Sequence, residues 1–142
     1  MNKDILKQYA REHPTRNVAV VGLRDGEGNV LLMRSHKLPE LWQPVGGGID
    51  QEDVSPSAAA AREVREELGL FLNARDLKQV LTTPYDFGEG TVYFFETSVD
   101  RTNLELHIDP EEVRECAWFS LDKLESLPAM PATRKYLQYL LN

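Results

Sequence analysis

The chain has 142 residues, 23 acidic side chains against 16 lysines and arginines, and a formal net charge of −7. That length fits a single domain with a core large enough to stand without crosslinks, and one cysteine leaves no internal disulfide to form. The acidic balance argues against a protein held on nucleic acid or an anionic membrane by its own basic surface, so phosphate chemistry here calls for a mediating cation.

Residues 3–12 predict a short amphipathic helix with Ile5, Leu6 and Tyr9 on one side, ended by His13 and Pro14. Asn17 to Arg24 and Asn29 to Arg34 read as strands, joined by the hairpin-like turn Asp25-Gly26-Glu27-Gly28. Leu41 to Val45 leads into a glycine-rich loop, Gly46 to Gly48, which lacks the Gly-Lys-Ser/Thr ending of an ATPase phosphate loop. A helix follows, with Ser55 as N-cap, Pro56 at its first position and Gly69 as its stop. Ala60, Ala61, Val64 and Leu68 form its apolar stripe. Further strands are predicted near Leu77 to Thr83, Thr91 to Val99 and Val113 to Phe119, with a polar turn from Asp86 to Gly90 and a closing amphipathic helix from Ala132 to Leu141. Strands on both sides of one central helix predict an α/β sandwich in one domain, 1–142, with residues 1–14 as a helical extension. No basic leader before an apolar core and no run of membrane-spanning length is present, which predicts a cytoplasmic protein with no membrane partner.

The chemistry concentrates on the central helix. Glu63, Glu66 and Glu67 stand at i, i+3 and i+4, so their side chains fall within an arc of about 100° on one face. Like charges so placed repel until a hard cation sits among them, and an all-oxygen cluster selects Mg²⁺ or Mn²⁺. Arg62, one turn before Glu66, can orient it through an ion pair. An Arg/Glu string alone reads equally well as a solvated helix face. The preceding glycines, the cap, the carboxylate geometry and the closing Gly-Leu distinguish this one.

From the glycine run to Leu70 the segment resembles the Nudix box. Arg62-Glu63-Val64-Arg65-Glu66-Glu67-Leu68-Gly69-Leu70 matches its second half at every fixed position. The first half departs: from Gly47 as the opening glycine, five residues lead to Asp53 in place of the expected Glu, and eight residues rather than seven then reach Arg62. Counting back from Arg62 instead puts Val54 at the acidic position. A one-residue insertion before the cap, with Asp53 as the acid, leaves the register of the three glutamates intact.

The resemblance implies a Nudix-type α/β/α sandwich with a mixed central sheet and a metal-dependent pyrophosphohydrolase that cleaves a nucleoside diphosphate linked to another moiety. Glu63, Glu66 and Glu67 would be metal ligands with the carbonyl of Gly46. A further acid would come from Asp109-Pro110-Glu111-Glu112, where Glu112 is preferred over Glu111 as an extra ligand or general base. In catalysis the resemblance points to Glu63, Glu66 and Glu112. Arg34 is a candidate contact to substrate phosphate, and Trp42, Tyr85 and Phe87 are candidates for stacking on a base. Trp42 has core packing as its alternative, and Arg34 a solvated charge. His36 with Lys37 could steer an anion; His13 and His107 read as loop histidines, and Cys116 as a buried structural thiol. The expected partner is a nucleotide-derived small molecule rather than nucleic acid, and a homodimer is compatible with this reading. The alternatives are a nucleotide-sensing module that lost the chemistry, and an RNA 5′-end pyrophosphohydrolase.

Overall fold

The computed structural model describes residues 2–142. Helix α1 (Lys3–Glu12) begins at Asn2, whose side chain accepts the Asp4 N–H at 2.7 Å. Strands β1 (Val18–Arg24), β2 (Val30–Ser35) and β3 (Val45–Gly48) precede the central helix α2 (Pro56–Leu68). Strands β4 (Lys78–Pro84), β5 (Thr91–Ser98) and β6 (Val113–Phe119) lead to the closing helix α3 (Pro131–Leu141). The strand order is β4-β5-β1-β2-β6, with β3 also paired to β1. β1 and β5 run parallel while every other pairing is antiparallel, so the sheet is mixed.

Alternation along the strands divides the core into two layers. Ala19, Val21, Leu23, Leu31 and Met33 face Ala59, Ala60, Val64 and Leu68 of α2. Val20, Val30, Leu32 and Phe94 face Ala132, Tyr136 and Leu137 of α3. The result is the predicted α/β/α sandwich, and the predicted strands and helices recur with ends shifted by a residue or two. The apolar stripe of α2 differs by one position: Ala59 is fully buried where Ala61 was expected, and Ala61 is half-buried.

The glycine run corrects the sequence reading more substantially, because Val45–Gly48 is a strand and not a loop. Val45, Gly46, Gly47 and Gly48 pair with Val21, Val20, Ala19 and Val18. Only Leu23 and Arg24 of β1 pair with β2, so β1 and β2 diverge and β3 occupies the gap. Glycine is required at the closest approach: Gly46 has φ of 155°, and a Cβ there would lie 2.2 Å from the Ala19 carbonyl oxygen.

α2 is specified locally as its sequence predicts. Ser55 Oγ accepts the Ala58 N–H at 3.1 Å, Pro56 starts the helix, and Gly69 ends it in the left-handed region at φ 66°. Among the described residues, no helix is long and apolar enough to cross a membrane.

Candidate active site

α2 buries its three glutamates to different depths. Glu67 is 5% exposed, whereas the Glu63 and Glu66 side chains are 16% and 53% exposed. The chain before β6 packs over the C-terminal end of α2: the His107 N–H donates to the Leu68 carbonyl at 2.7 Å and the Asp109 N–H to the Glu67 carbonyl at 2.9 Å. These bonds satisfy carbonyls that a helix end otherwise leaves open. They also deliver Asp109 and Glu112 to the glutamates, so one recess is lined by Glu63, Glu66, Glu67, Asp109 and Glu112.

Burial and then the negative charges of Glu63, Glu112 and Glu66 push the Glu67 carboxyl up to about 8, against the opposing effect of a hydrogen bond from the Gly46 backbone. Burial also raises Glu63, outweighing the nearby Arg62 guanidinium. Glu67 Oε1 is buried with no hydrogen-bond partner. An orphaned carboxylate oxygen among all-oxygen donors fits a hard divalent cation. Among the described residues, however, no three His, Cys, Asp or Glu side chains converge as a finished coordination sphere. Glu63 and Glu66 are both engaged by Arg62, so a cation held by them would compete with that guanidinium.

Arg62 organises the approach to the helix. Its Nε and Nη2 donate to the two oxygens of Asp53 at 3.0 and 2.9 Å, and Nη2 also donates to the Gly48 carbonyl at 3.0 Å. Nη1 reaches Glu63 and, in the predicted i,i+4 pair, Glu66, both at 3.2 Å. The two-pronged Arg62 contact holds the Asp53 carboxyl below its usual range. Asp53 therefore fastens the loop before α2 to the helix, while Val54 is 92% exposed. This arrangement supports Asp53 as the acid of the box.

Beside the recess runs a cleft of about 220 Å³, to which Gly46, Gly47, Glu63, Glu67, Glu111 and Glu112 all contribute. Of the two candidate acids, Glu112 borders both recess and cleft, whereas Glu111 borders the cleft alone. The inner part is apolar, with Val20, Phe94 and Ala132 from the α3 layer. Trp42 and Tyr85 line it and are 9% and 8% exposed; Trp42 packs edge-on to Phe119 at 4.8 Å, so it belongs to wall and core together. Tyr85 donates its hydroxyl to the His13 carbonyl at 2.9 Å. Phe87 is on the same wall.

Arg34 is not among the residues bordering the cleft; it pairs with Glu115 at 2.7 Å and lies 5.0 Å from the centre of the Trp42 ring. His36 and Lys37 border the cleft, and His36 Nε2 lies 2.8 Å from the Pro110 carbonyl, tying the end of β2 to the acidic turn. Cys116 is half-buried, and burial together with Glu67 pushes its thiol up to about 11.

Of the acidic turn named from the sequence, Asp109 lines the recess beside the preferred Glu112. Several cleft residues have no such signal. Tyr9, Arg16 and His13, together with Asp86 of the β4–β5 turn, reach the cleft through long-range packing that no local pattern announces. Asp86 Oδ1 accepts the Ala132 N–H at 2.9 Å, so the turn caps α3.

Comparison with known proteins matches residues 13–140 to the family model described as NUDIX domain. The chain is 29% identical over 116 residues to the NAD-capped RNA hydrolase NudC of Mycobacterium bovis, covering 81% of this chain and 36% of that protein. It spans less than half the length of the NudC relatives it matches. Among solved structures it resembles the MutT protein of Methanosarcina mazei Go1, with TM-score 0.69, 23% identity and coverage of 91% of this chain and 94% of that one. It also resembles the E. coli dihydroneopterin triphosphate pyrophosphohydrolase, with TM-score 0.72, 18% identity and coverage of 91% and 99%. At these identities the structural likeness establishes the fold.

Proposed function

Because the chain belongs to the NUDIX family, we propose that it is a divalent-cation-dependent pyrophosphohydrolase, cleaving a nucleoside diphosphate linked to a further moiety by attack of water on phosphorus. The observation that carries this reading is Glu67, a buried carboxylate with an unpartnered oxygen inside a recess of four further acids. Such a recess is costly in a protein that only needs to fold, and it becomes favourable around a cation. It also argues against a sensing module that has lost the chemistry.

Magnesium or manganese, when bound, supplies the positive charge that offsets the anionic anhydride oxygens. Glu63, Glu66, Glu67 and the Gly46 carbonyl would hold it. Glu112, at the border of recess and cleft, accepts the proton of the attacking water or adds a ligand. The aromatic, apolar end of the cleft, with Trp42 and Tyr85, receives the base of the substrate. Arg34 supports that wall through its position over Trp42.

The NudC relatives bear a name that specifies NAD-capped RNA, which favours a nucleotide-linked diphosphate either as a free dinucleotide or at an RNA end. The net charge of −7 favours the small molecule. Turnover of a panel that includes NAD, ADP-ribose, nucleotide sugars, dinucleoside polyphosphates and NAD-capped RNA, with Mg²⁺ or Mn²⁺ and product identification, tests this. Release of a nucleoside monophosphate from a small-molecule substrate, abolished by chelator, is expected; no cation-dependent cleavage of any member would contradict it.

A further inference from the structure

We infer that the N-terminal segment from Tyr9 to Arg16 is part of the substrate site, with Arg16, held by Tyr9, taking a phosphate of a diphosphate-containing substrate in the cleft that Glu63 and Glu67 also line. This rests on the function proposed above and adds a specificity-determining residue to it.

Arg16 is half-buried and borders the cleft. Its Nη1 donates to the Tyr9 hydroxyl at 2.9 Å. The guanidinium lies close over β3: a Cβ on Gly48 would stand 2.7 Å from Arg16 Nε and 3.0 Å from Nη2, so glycine there lets the side chain rest against the strand. Arg24, Arg34, Arg62 and Arg101 are each paired with a carboxylate. Arg16, among the described residues, joins no ion pair, although it is close enough to Glu63 for its charge to act on that group. A guanidinium with five donors, held by the Tyr9 hydroxyl and close to that of Tyr85, thus borders the cleft without a carboxylate partner.

The segment that carries it is fastened in place. The Arg16 N–H donates to the Glu89 carbonyl at 2.9 Å, and the Glu89 N–H returns to the Pro14 carbonyl at 3.2 Å. Gly88 and Gly90 permit this contact, since a Cβ on either would come within 2 Å of a backbone oxygen, at 1.9 Å from Pro14 and 1.8 Å from Arg16. The Tyr9 ring packs on Phe87 at 4.6 Å. Tyr9 itself lies outside the stretch matched to the family, which begins at residue 13.

A diphosphate bears charge on two adjacent phosphoryl groups. With the cation held by the glutamates compensating one, a planar guanidinium is suited to two oxygens of the other. An isolated phosphate cannot occupy both positions, so Arg16 favours ligands with two linked phosphates.

The test is calorimetric titration of inorganic pyrophosphate and of orthophosphate, in excess Mg²⁺, into the wild-type protein and the Arg16→Gln, Arg16→Lys, Tyr9→Phe and Tyr9→Phe/Arg16→Gln variants, each checked for an unchanged circular dichroism spectrum. Arg16→Gln should weaken pyrophosphate by about tenfold and leave orthophosphate nearly unchanged, with Arg16→Lys recovering part of the loss. Tyr9→Phe, which keeps the ring on Phe87, should cost a few-fold alone and nothing further in the double variant. On the substrate found by the panel, Arg16→Gln should raise KM with little change in kcat. Equal pyrophosphate affinity in Arg16→Gln and wild type, independent effects of the two changes, or no wild-type preference for pyrophosphate would overturn the inference. Glu67→Gln separates the two levels: if it abolishes turnover while Arg16→Gln is silent, only the role of Arg16 fails, and if it leaves turnover intact, the underlying function fails with it.

Discussion

Burying a carboxylate among other carboxylates costs stability unless something compensates, and Glu67 is the residue at which this cost concentrates. Its carboxyl is pushed up to about 8, so near neutral pH the folded protein without cation favours the neutral acid. Glu67→Gln reproduces that neutral form at nearly the same size. The variant should therefore keep or slightly raise its melting temperature without divalent cation, while losing the rise that Mg²⁺ gives the wild type; scanning calorimetry at several Mg²⁺ concentrations checks this. An unchanged Mg²⁺ response in Glu67→Gln would remove Glu67 from the ligand set. The acidic turn offers a sharper contrast between neighbours. Glu112 borders both recess and cleft, but Glu111 borders the cleft alone. Glu112→Gln is expected to lower kcat with little change in KM, and Glu111→Gln to be nearly silent. Steady-state kinetics in which Glu111 proved the sensitive position would exchange their roles.

Among the elements, α2 was legible in the sequence because everything that defines it is local: the Ser55 cap, Pro56, the glutamate spacing and Gly69. β3 was not, because nothing in a run of glycines announces a strand; its extended form comes from pairing with β1, far away in sequence. The same limit hid the roles of Tyr9 and Arg16, which arrive at the site through tertiary packing, while the acidic turn from Asp109 to Glu112 and the pairing of Arg62 with Glu66 at i,i+4 were readable. β3 also supplies a test of its own. A Cβ on Gly46 would collide with backbone, 2.2 Å from the Ala19 oxygen and at positive φ, whereas one on Gly47 would meet the carboxyl carbon of Glu63 at 2.7 Å. Gly46→Ala should therefore lower the melting temperature substantially. Gly47→Ala displaces the end of a flexible side chain, so it should melt close to wild type and bind Mg²⁺ more weakly. Equal melting temperatures for Gly46→Ala and wild type would show that β3 does not need the close approach.

At the scale of the whole molecule, a sheet layered by α2 on one face and α3 on the other brings an apolar cleft against an acidic recess. The Asp53–Arg62 contact links the loop before α2 to this frame, and its effect on stability has a definite sign. The folded carboxyl of Asp53 lies below its ordinary value, so its contribution is present above an unfolded value of about 3.9 and is lost as pH falls through the folded value. Asp53→Asn should melt lower than wild type at neutral pH, with the gap narrowing as the pH falls below about 4; a gap independent of pH would assign the loss to packing instead. Catalytically Asp53→Asn should be much milder than Glu67→Gln, since Asp53 is turned to Arg62. The central claim, that the recess holds the cation required for anhydride cleavage, is tested most directly by measuring turnover of the best panel substrate against Mg²⁺ concentration in wild type and Glu67→Gln, with products identified. Saturable Mg²⁺ dependence in the wild type, complete loss with chelator, and a rate lower by roughly a hundredfold or more in Glu67→Gln are expected; wild-type turnover that persists in chelator, or an undiminished rate in the mutant, would contradict this claim.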